Sequence, residues 1–206
     1  MMYTYENRLL AQGYQYIAGT DEAGRGPMAG PLVVAAVVLD PNKKIPGLND
    51  SKKLSFKKRE SLFEQIIHDA LEVKYIIVDS KTVDQKNVYQ ATKDAMKQCI
   101  MSLAKVDYCL SDAVKLDIDI PHEAIIKGDA KSASIAAASV IAKVVRDRYM
   151  IGLHEKYPQY GFNKHKGYVT KKHLQAIFEY GIIEEHRRSF RPVQEILTNN
   201  SYVNYK

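Results

Sequence analysis

The sequence predicts an α/β fold, a mixed five-stranded sheet flanked by helices, with a small helical region at the carboxyl end. Two apolar strands joined by a glycine-rich bend come first, and later strands alternate with amphipathic helices. Beyond Pro158 we expect a basic loop, Gly161–Tyr168, and then two helices. With 206 residues, 46% hydrophobic and 26% charged, the chain can bury a sizeable core.

The first half supplies three strands and a helix. Tyr16–Asp21 and Pro31–Asp40 are predicted strands, and the second is so continuously apolar that we expect it to be buried on both faces. Val73–Asp79, rich in Val and Ile, is predicted as the third. Before it, Ser55 is expected to cap a helix that reaches Ala70. The residues expected on the inner side of this helix are Leu62, Phe63, Ile66 and Ile67.

The second half alternates helices and strands. Thr82–Gln85 has the form of a capping box and predicts a long helix to Ala104. Strands follow at Val106–Leu110 and Ala124–Lys127. Ser132 is expected to cap a long helix that ends at Pro158. The last predicted helices are Thr170–Tyr180, closed by Gly181, and one opened by Pro192.

Several protein classes are disfavoured by the composition. Met1–Ala11 lacks the pattern of a signal peptide, and the apolar run Leu32–Leu39 is too short to span a bilayer, so we expect a cytoplasmic protein. Cys99 and Cys109 lie in apolar patterns without metal-ligand spacing and are predicted to be buried free thiols. A formal charge of +6 points weakly to a polyanionic partner.

Four acids stand at or near predicted strand ends: Asp21, Glu22, Asp112 and Asp129. Together they form a candidate site for two divalent cations, because Mg²⁺ and Mn²⁺ take oxygen ligands and clustered carboxylates repel one another without a cation.

The alternative is that the four acids are solvated loop residues or helix caps. Neighbours on a regular strand also point to opposite faces, so Asp21 and Glu22 share a site only if the strand breaks, which Gly24 and Gly26 would allow. Asp147 is a rival ligand, but it lies mid-helix between two arginines and is interpreted as a surface ion-pair residue.

A second set of residues is suited to a nucleic acid. Gly24, Arg25 and Gly26 offer backbone N–H groups and a guanidinium to a sugar-phosphate, or form an ordinary turn with a solvated arginine. Tyr168, inside a basic loop, is suited to stacking on a sugar or base, or else packs beneath the tail helix. The basic clusters are candidates for phosphate contacts, or else solvated faces: Lys52-Lys53, Lys57–Arg59, Lys164–Lys166, Lys171-Lys172 and His186–Arg188.

Five stretches, taken in order, resemble the motifs of bacterial ribonuclease HII, the type 2 ribonuclease H. They are Gly19–Pro27, Leu48–Leu54, Gly128–Ser132, the alanine-rich helix through Arg146–Arg148, and His165–Tyr168. The resemblance covers about Tyr16 to Pro192. It implies a ribonuclease H-like fold, with a catalytic domain over residues 1–160 and a carboxyl-terminal helical region over residues 161–206 that contributes to substrate binding.

The resemblance also implies a function. The chain would be a metal-dependent endonuclease that hydrolyses the RNA strand of RNA/DNA hybrids and cuts on the 5′ side of ribonucleotides embedded in duplex DNA, leaving 5′-phosphate and 3′-hydroxyl ends. Two cations, Mg²⁺ or Mn²⁺, would be its cofactors, and we expect a monomer.

By resemblance, Asp21, Glu22, Asp112 and Asp129 match the metal-binding acids of the family. Gly24, Arg25, Gly26 and Tyr168 match its junction-reading residues, and Lys52 and Lys53 are further candidates for substrate binding. The alternative is a non-catalytic, basic nucleic-acid-binding module, in which the acids only cap turns.

Overall fold

The computed structural model describes residues 2–199, so residues 200–206 of the predicted helical region lie outside the described part. Five strands form one sheet in the order β3-β2-β1-β4-β5. Their bounds are β1 Ile17–Ala23, β2 Leu32–Val38, β3 Glu72–Val78, β4 Tyr108–Asp112 and β5 His122–Ile125. The predicted mixed five-stranded sheet is confirmed.

The central strand β1 is antiparallel to β2 and parallel to β4, and β4 is parallel to β5. Every residue of β2 is buried, as its continuous apolar run predicts. Pairing of β1 with β4 ends at Thr20 opposite Ser111, whereas pairing with β2 continues to Ala23 opposite Val33. The last residues of β1 therefore extend beyond their parallel neighbour.

Eight α-helices accompany the sheet within residues 2–199. Ser55 caps its helix as predicted, with its hydroxyl accepting from the N–H of Lys58. Leu62 and Ile66 are buried on the inner side, but Ile67 is 48% exposed, so the predicted inner face is too wide. The helices are α1 Thr4–Ala11, α2 Phe56–Asp69, α3 Ser80–Lys86, α4 Val88–Met101, α5 Ala133–Lys156, α6 Phe162–His165, α7 Lys171–Tyr180 and α8 Arg191–Asn199.

The predicted single helix from Thr82 to Ala104 is wrong. Asn87 has a φ of 63° and divides the segment into α3 and α4. The cap of α3 is Asp79, whose carboxylate accepts from the N–H of Thr82 at 2.7 Å, so the capping box is also misplaced. A left-handed residue interrupts the helical hydrogen bonds without disturbing the apolar spacing that predicted one helix.

The described residues form two compact units. The first contains the residues up to Ala23 with Val33–Ile76 and Thr92–Val144, and the second contains Gly24–Leu32, Ile77–Ala91 and the residues from Val145 onward. The proposed functional division at residue 160 stays a prediction. Cys99 and Cys109 are buried free thiols, as expected. No described helix is long and apolar enough to cross a membrane.

Candidate active site

Asp21 and Glu22 occupy consecutive positions near the end of β1, in the first unit. The strand does not break between Asp21 and Glu22, since regular pairing with β2 continues to Ala23, and β1 ends directly before Gly24. Asp21 is 4% exposed, and its Oδ1 accepts a hydrogen bond from the N–H of Glu22 at 2.7 Å. The carboxylate of Asp21 thus turns along the strand toward its neighbour.

Asp112 ends β4, and Asp129 lies in the 3₁₀ turn Gly128–Ala130 that precedes α5. Oδ1 of Asp112 accepts from the N–H of Gly128 at 2.7 Å, which joins the two acids through one backbone group. Lys127 adopts a left-handed conformation, with a φ of 58°, where the chain enters the turn. Asp129 is 6% exposed. The structure therefore places the second pair of acids beside one another.

Electrostatics connect the two pairs. Burial raises the pKa of Asp21 well above its ordinary value, and the neighbouring carboxylates of Glu22 and Asp112 raise it further. Burial raises the pKa of Asp129 too, with Asp50 and Asp112 adding to the effect. Because like charges act strongly only over short distances, all four predicted acids belong to one concentration of negative charge.

Three residues around the acids were not identified as acid partners from the sequence. Asp50 hydrogen-bonds to the carboxyl of Asp129, and its own Oδ1 accepts from the N–H of Lys52 at 2.9 Å. The hydroxyl of Ser139 hydrogen-bonds to Asp21 and lies 2.9 Å from that of Ser51. Asp50 and Ser51 fall inside the Leu48–Leu54 motif, whereas Ser139 lies within the helical pattern of α5 and gives no sequence signal of its own.

Lys52 faces the same charge. Partial burial lowers the pKa of Lys52, but the carboxylates of Asp129, Asp21 and Asp50 outweigh that effect and raise it. Lys53 lies exposed at the end of the same turn. Lys52 is thus placed beside the acids, where it can meet a phosphate.

The donor set fits hard divalent cations, because all four side chains offer carboxylate oxygens and a cation would offset the cost of ionising the buried Asp21. In the described part of the chain, no three His, Cys, Asp or Glu side chains already surround one metal-sized position. Mutually repelling carboxylates turn instead to nearby N–H and O–H groups, as Asp21 and Asp112 do.

The Gly24–Gly26 loop belongs to the second unit. Gly24 has a φ of +100°, and a Cβ there would lie 2.2 Å from Nε of Arg146. Arg146 is 1% exposed and donates to the carbonyl oxygens of Pro31 at 2.9 Å and Ala29 at 3.2 Å. Only glycine provides both this backbone conformation and the space for the arginine.

Arg187 supports the same segment from another side. It is fully buried, and it donates to the carbonyl oxygen of Gly30 through Nε and Nη2 and to that of Arg25 through Nη1. Burial lowers the pKa of Arg187 to about 9 and that of Arg146 to about 10. Two buried cations thus satisfy backbone carbonyls that would otherwise lie in an apolar interior.

Two interpretations from the sequence are corrected here. The His186–Arg188 cluster was a candidate for phosphate contacts, but His186 is 2% exposed and Arg187 is fully buried. Asp147 was interpreted as a surface residue, but it is 4% exposed. In each case the charged residues lie against other parts of the chain, which local spacing does not reveal.

Tyr168 lies next to the glycine loop in the second unit. Its side chain is 48% exposed, and its Cε1 atom lies 3.5 Å from the position that a Cβ of Gly26 would take. Gly26 is exposed and Arg25 is half-buried. The structure therefore brings the predicted junction-reading residues together, with an aromatic ring open to a partner.

Known proteins with similar sequences and structures bear on this arrangement. A family model described as ribonuclease HII matches residues 18–193. Ribonuclease HII of Bacillus cytotoxicus is 53% identical over 199 residues, covering 96% of this chain and 77% of that protein. Ribonuclease H2 of Pyrococcus horikoshii aligns with a TM-score of 0.76 and 31% identity, covering 87% of this chain and 96% of that one. Bst-RNase HIII, solved in complex with Mn²⁺, shares the fold, with a TM-score of 0.66 at 18% identity over 89% and 70% of the two chains.

Proposed function

The chain belongs to the ribonuclease HII family, and from that premise we propose which of its residues carry out the reaction and which duplexes it cuts. As a member of this family it is an endoribonuclease that cleaves the RNA of RNA/DNA hybrids. The alternative of a non-catalytic binding module is not favoured, because the relatives that it matches over most of its length are nucleases.

The observation that carries the catalytic assignment is the shared negative charge of four carboxylates from β1, β4 and the turn before α5. Asp21 is the buried member, and its pKa rises in response to Glu22 and Asp112. Asp129 is held beside Asp112 through Gly128. A phosphodiester would be repelled by this charge, so the arrangement suits hydrolysis only with bound cations.

Enzymes of this family depend on divalent metal ions, and we assign two, Mg²⁺ or Mn²⁺, to these acids. When bound, such cations supply a hydroxide nucleophile at neutral pH and stabilise the leaving 3′-oxygen. Asp21 would be a ligand shared by the cations, Glu22 and Asp112 would be further ligands on one side, and Asp129 would be a ligand on the other side and orient a water molecule. Lys52 contacts a phosphate of the substrate. The products carry 5′-phosphate and 3′-hydroxyl ends.

The second set of residues supports cleavage on the 5′ side of a single ribonucleotide in duplex DNA. The backbone of Gly24 to Gly26 reads the ribose, with Arg25 near the phosphate, and the exposed ring of Tyr168 stacks at the junction. Only Ala23 separates Glu22 from Gly24 in the chain, so ribose recognition and hydrolysis are joined by one short segment. Cytoplasmic location and a monomeric state complete the proposal.

A cleavage assay tests the catalytic assignment. Asp21→Asn and Asp112→Asn should each abolish Mg²⁺- or Mn²⁺-dependent cutting of an RNA/DNA duplex while binding to the duplex remains. Asp119→Asn, at an exposed aspartate in the same unit, is the matched control and should cut normally. Unaltered cutting by both Asp21→Asn and Asp112→Asn would refute the assignment.

The junction assignment needs a different substrate, a DNA duplex with one ribonucleotide. Tyr168→Ala should lower kcat/KM on it by about tenfold, since loss of one stacking contact costs about 1–3 kcal/mol. Tyr89→Ala, which removes another half-exposed tyrosine, serves as the control. An equal effect of the two substitutions would remove the role given to Tyr168.

A further inference from the structure

Three histidines, His165, His173 and His186, pack together in the unit that holds Tyr168. The rings of His165 and His173 stack 4.4 Å apart, and those of His173 and His186 lie 5.2 Å apart. Phe162 contacts all three. Since His173 is fully buried and His186 nearly so, their polar atoms must find partners inside the protein.

The partners of His186 and His173 fix the position of each ring proton. The N–H of Ile183 donates to Nδ1 of His186 at 3.0 Å, so the proton of His186 resides on Nε2. That atom lies 3.1 Å from Nε2 of His173, and His186 is therefore the donor and His173 the acceptor. The proton of His173 must then reside on Nδ1, which donates to the carbonyl oxygen of Tyr168 at 3.0 Å.

This chain of three hydrogen bonds requires both rings to be neutral. A protonated ring would bring two N–H groups face to face between His173 and His186, or direct one against the N–H of Ile183. Burial lowers the pKa of His173 to about 3 and that of His186 to about 4, which keeps both rings neutral near pH 7. At that pH, the three hydrogen bonds therefore hold both rings in one arrangement.

The same histidines adjoin the strand-like segment after the glycine loop. His186 forms a backbone bridge with Ala29. Next to that bridge, Met28 donates its N–H to the carbonyl oxygen of Gly167 at 3.0 Å and accepts from the N–H of Arg187 at 2.9 Å. The segment leading to Tyr168 and the segment leaving Gly26 are thus joined directly and through the histidines.

We propose that His173 and His186 are positioning residues for recognition of a ribonucleotide embedded in DNA. Their hydrogen-bond chain fixes the backbone at Tyr168 and so holds its ring against Gly26. This inference rests on the proposed role of Tyr168 at the junction. A purely structural role for the two histidines would affect stability without changing the preference between substrates.

The assigned ring protons can be tested without an activity assay, by NMR of ¹⁵N-histidine-labelled protein near pH 7. Long-range ¹H–¹⁵N correlations should show the Nδ1–H tautomer for His173 and the Nε2–H tautomer for His186. A proton on Nε2 of His173 would break the hydrogen-bond chain at Tyr168, and a charged ring would break it between the two rings or at Ile183. Either finding would overturn the proposal.

Two substitutions of the same residue separate positioning from packing. An Asn amide reaches the position of Nδ1 and a Gln amide that of Nε2, so His173→Asn keeps the donor to Tyr168 and His173→Gln loses it. For His173→Gln, the ratio of kcat/KM on a lone-ribonucleotide duplex to that on a long hybrid should fall about tenfold, the worth of one hydrogen bond. For His173→Asn the ratio should stay near the wild-type value. Equal ratios for the two variants, compared at temperatures where thermal melts show both folded, would contradict the proposal.

A double-mutant cycle with Tyr168→Ala distinguishes the possible failures. If His173 acts through Tyr168, His173→Gln should cause no further loss on the lone-ribonucleotide duplex in the Tyr168→Ala background. If the losses from His173→Gln and Tyr168→Ala simply add, the positioning role of His173 would be overturned while the role of Tyr168 would stand. No effect of Tyr168→Ala by itself would overturn both.

Discussion

Asp21→Asn should make the metal-free protein more stable while it abolishes cleavage. Burial and two neighbouring carboxylates raise the pKa of Asp21, so ionisation of this side chain opposes folding. Two unit charges about 5 Å apart at an effective dielectric of 20 repel by about 3 kcal/mol. The N–H of Glu22 and the hydroxyl of Ser139 favour the charged form and offset part of this repulsion. Asparagine keeps an oxygen for those donors, so we expect a net gain of about 1–3 kcal/mol.

The stability gain of Asp21→Asn depends on pH and on metal. Because the folded pKa of Asp21 lies above its unfolded value, the charge penalty is present above the folded pKa and disappears as the pH falls below the unfolded value near 4. The gain in stability from Asp21→Asn should therefore shrink as the pH falls. Cations that bind only the native wild type stabilise it by RT ln(1 + [L]/Kd), about 1.4 kcal/mol at ten times Kd. Asp21→Asn should lose most of that gain.

Thermal unfolding followed by circular dichroism is the assay, first in a chelator and then in millimolar Mg²⁺ or Mn²⁺. For a chain of 206 residues, 1 kcal/mol corresponds to about 2–4 °C in Tm. Asp119→Asn is the control and should match the wild type under both conditions. The reasoning is refuted if Asp21→Asn melts at or below the wild-type temperature in chelator at pH 7, or if metal stabilises both proteins equally.

Three further outcomes follow from the structure. Gly24→Ala should cost about 2–5 kcal/mol in urea unfolding, because its Cβ would lie 2.2 Å from Nε of Arg146 at a positive φ; an unchanged midpoint would contradict this. Glu6→Ala should cost about 2–3 kcal/mol in the same assay, since three donors lose their acceptor, and a loss below 0.5 kcal/mol, roughly the effect of a surface change, would be inconsistent. The lowered pKa values of His173 and His186 mean that the unfolded state binds more protons from about pH 6.5 down to pH 4. Stability should therefore hold above that range and fall within it by up to about 2.7 kcal/mol per pH unit, and a flat profile would count against neutral buried rings.

Much of the fold was predictable because it depends on local periodicity. The apolar run of β2 and the Ser55 cap appear in the structure where the sequence places them. The position of the acids near strand ends was also predictable, since a buried strand followed by an acid is a local pattern. How near the four acids come to one another was not, because it depends on the register that ends β1–β4 pairing at Thr20.

The incorrect predictions share a physical cause. Arg187 and His186 look like a basic surface cluster, but their partners are a carbonyl oxygen at Gly30 and a ring at His173, which no local spacing indicates. Asn87 interrupts a helix whose apolar spacing continues across it. The polar ends of buried side chains are satisfied by residues far along the chain, and single-sequence patterns carry no record of those distant partners.

Helix α1 supplies a distant partner of this kind to the acid site. Its Glu6 is 5% exposed, and Oε1 accepts from the hydroxyl of Ser132 at 2.6 Å and from the N–H of Ser134 at 3.0 Å. Those two serines flank the start of α5, directly after the turn that holds Asp129. An anionic acceptor at a helix N-terminus satisfies donors that the helix leaves open. Glu6 thus fixes the start of α5 and, with it, the turn that presents Asp129, so the first helix of the chain is part of the scaffold of the acid site.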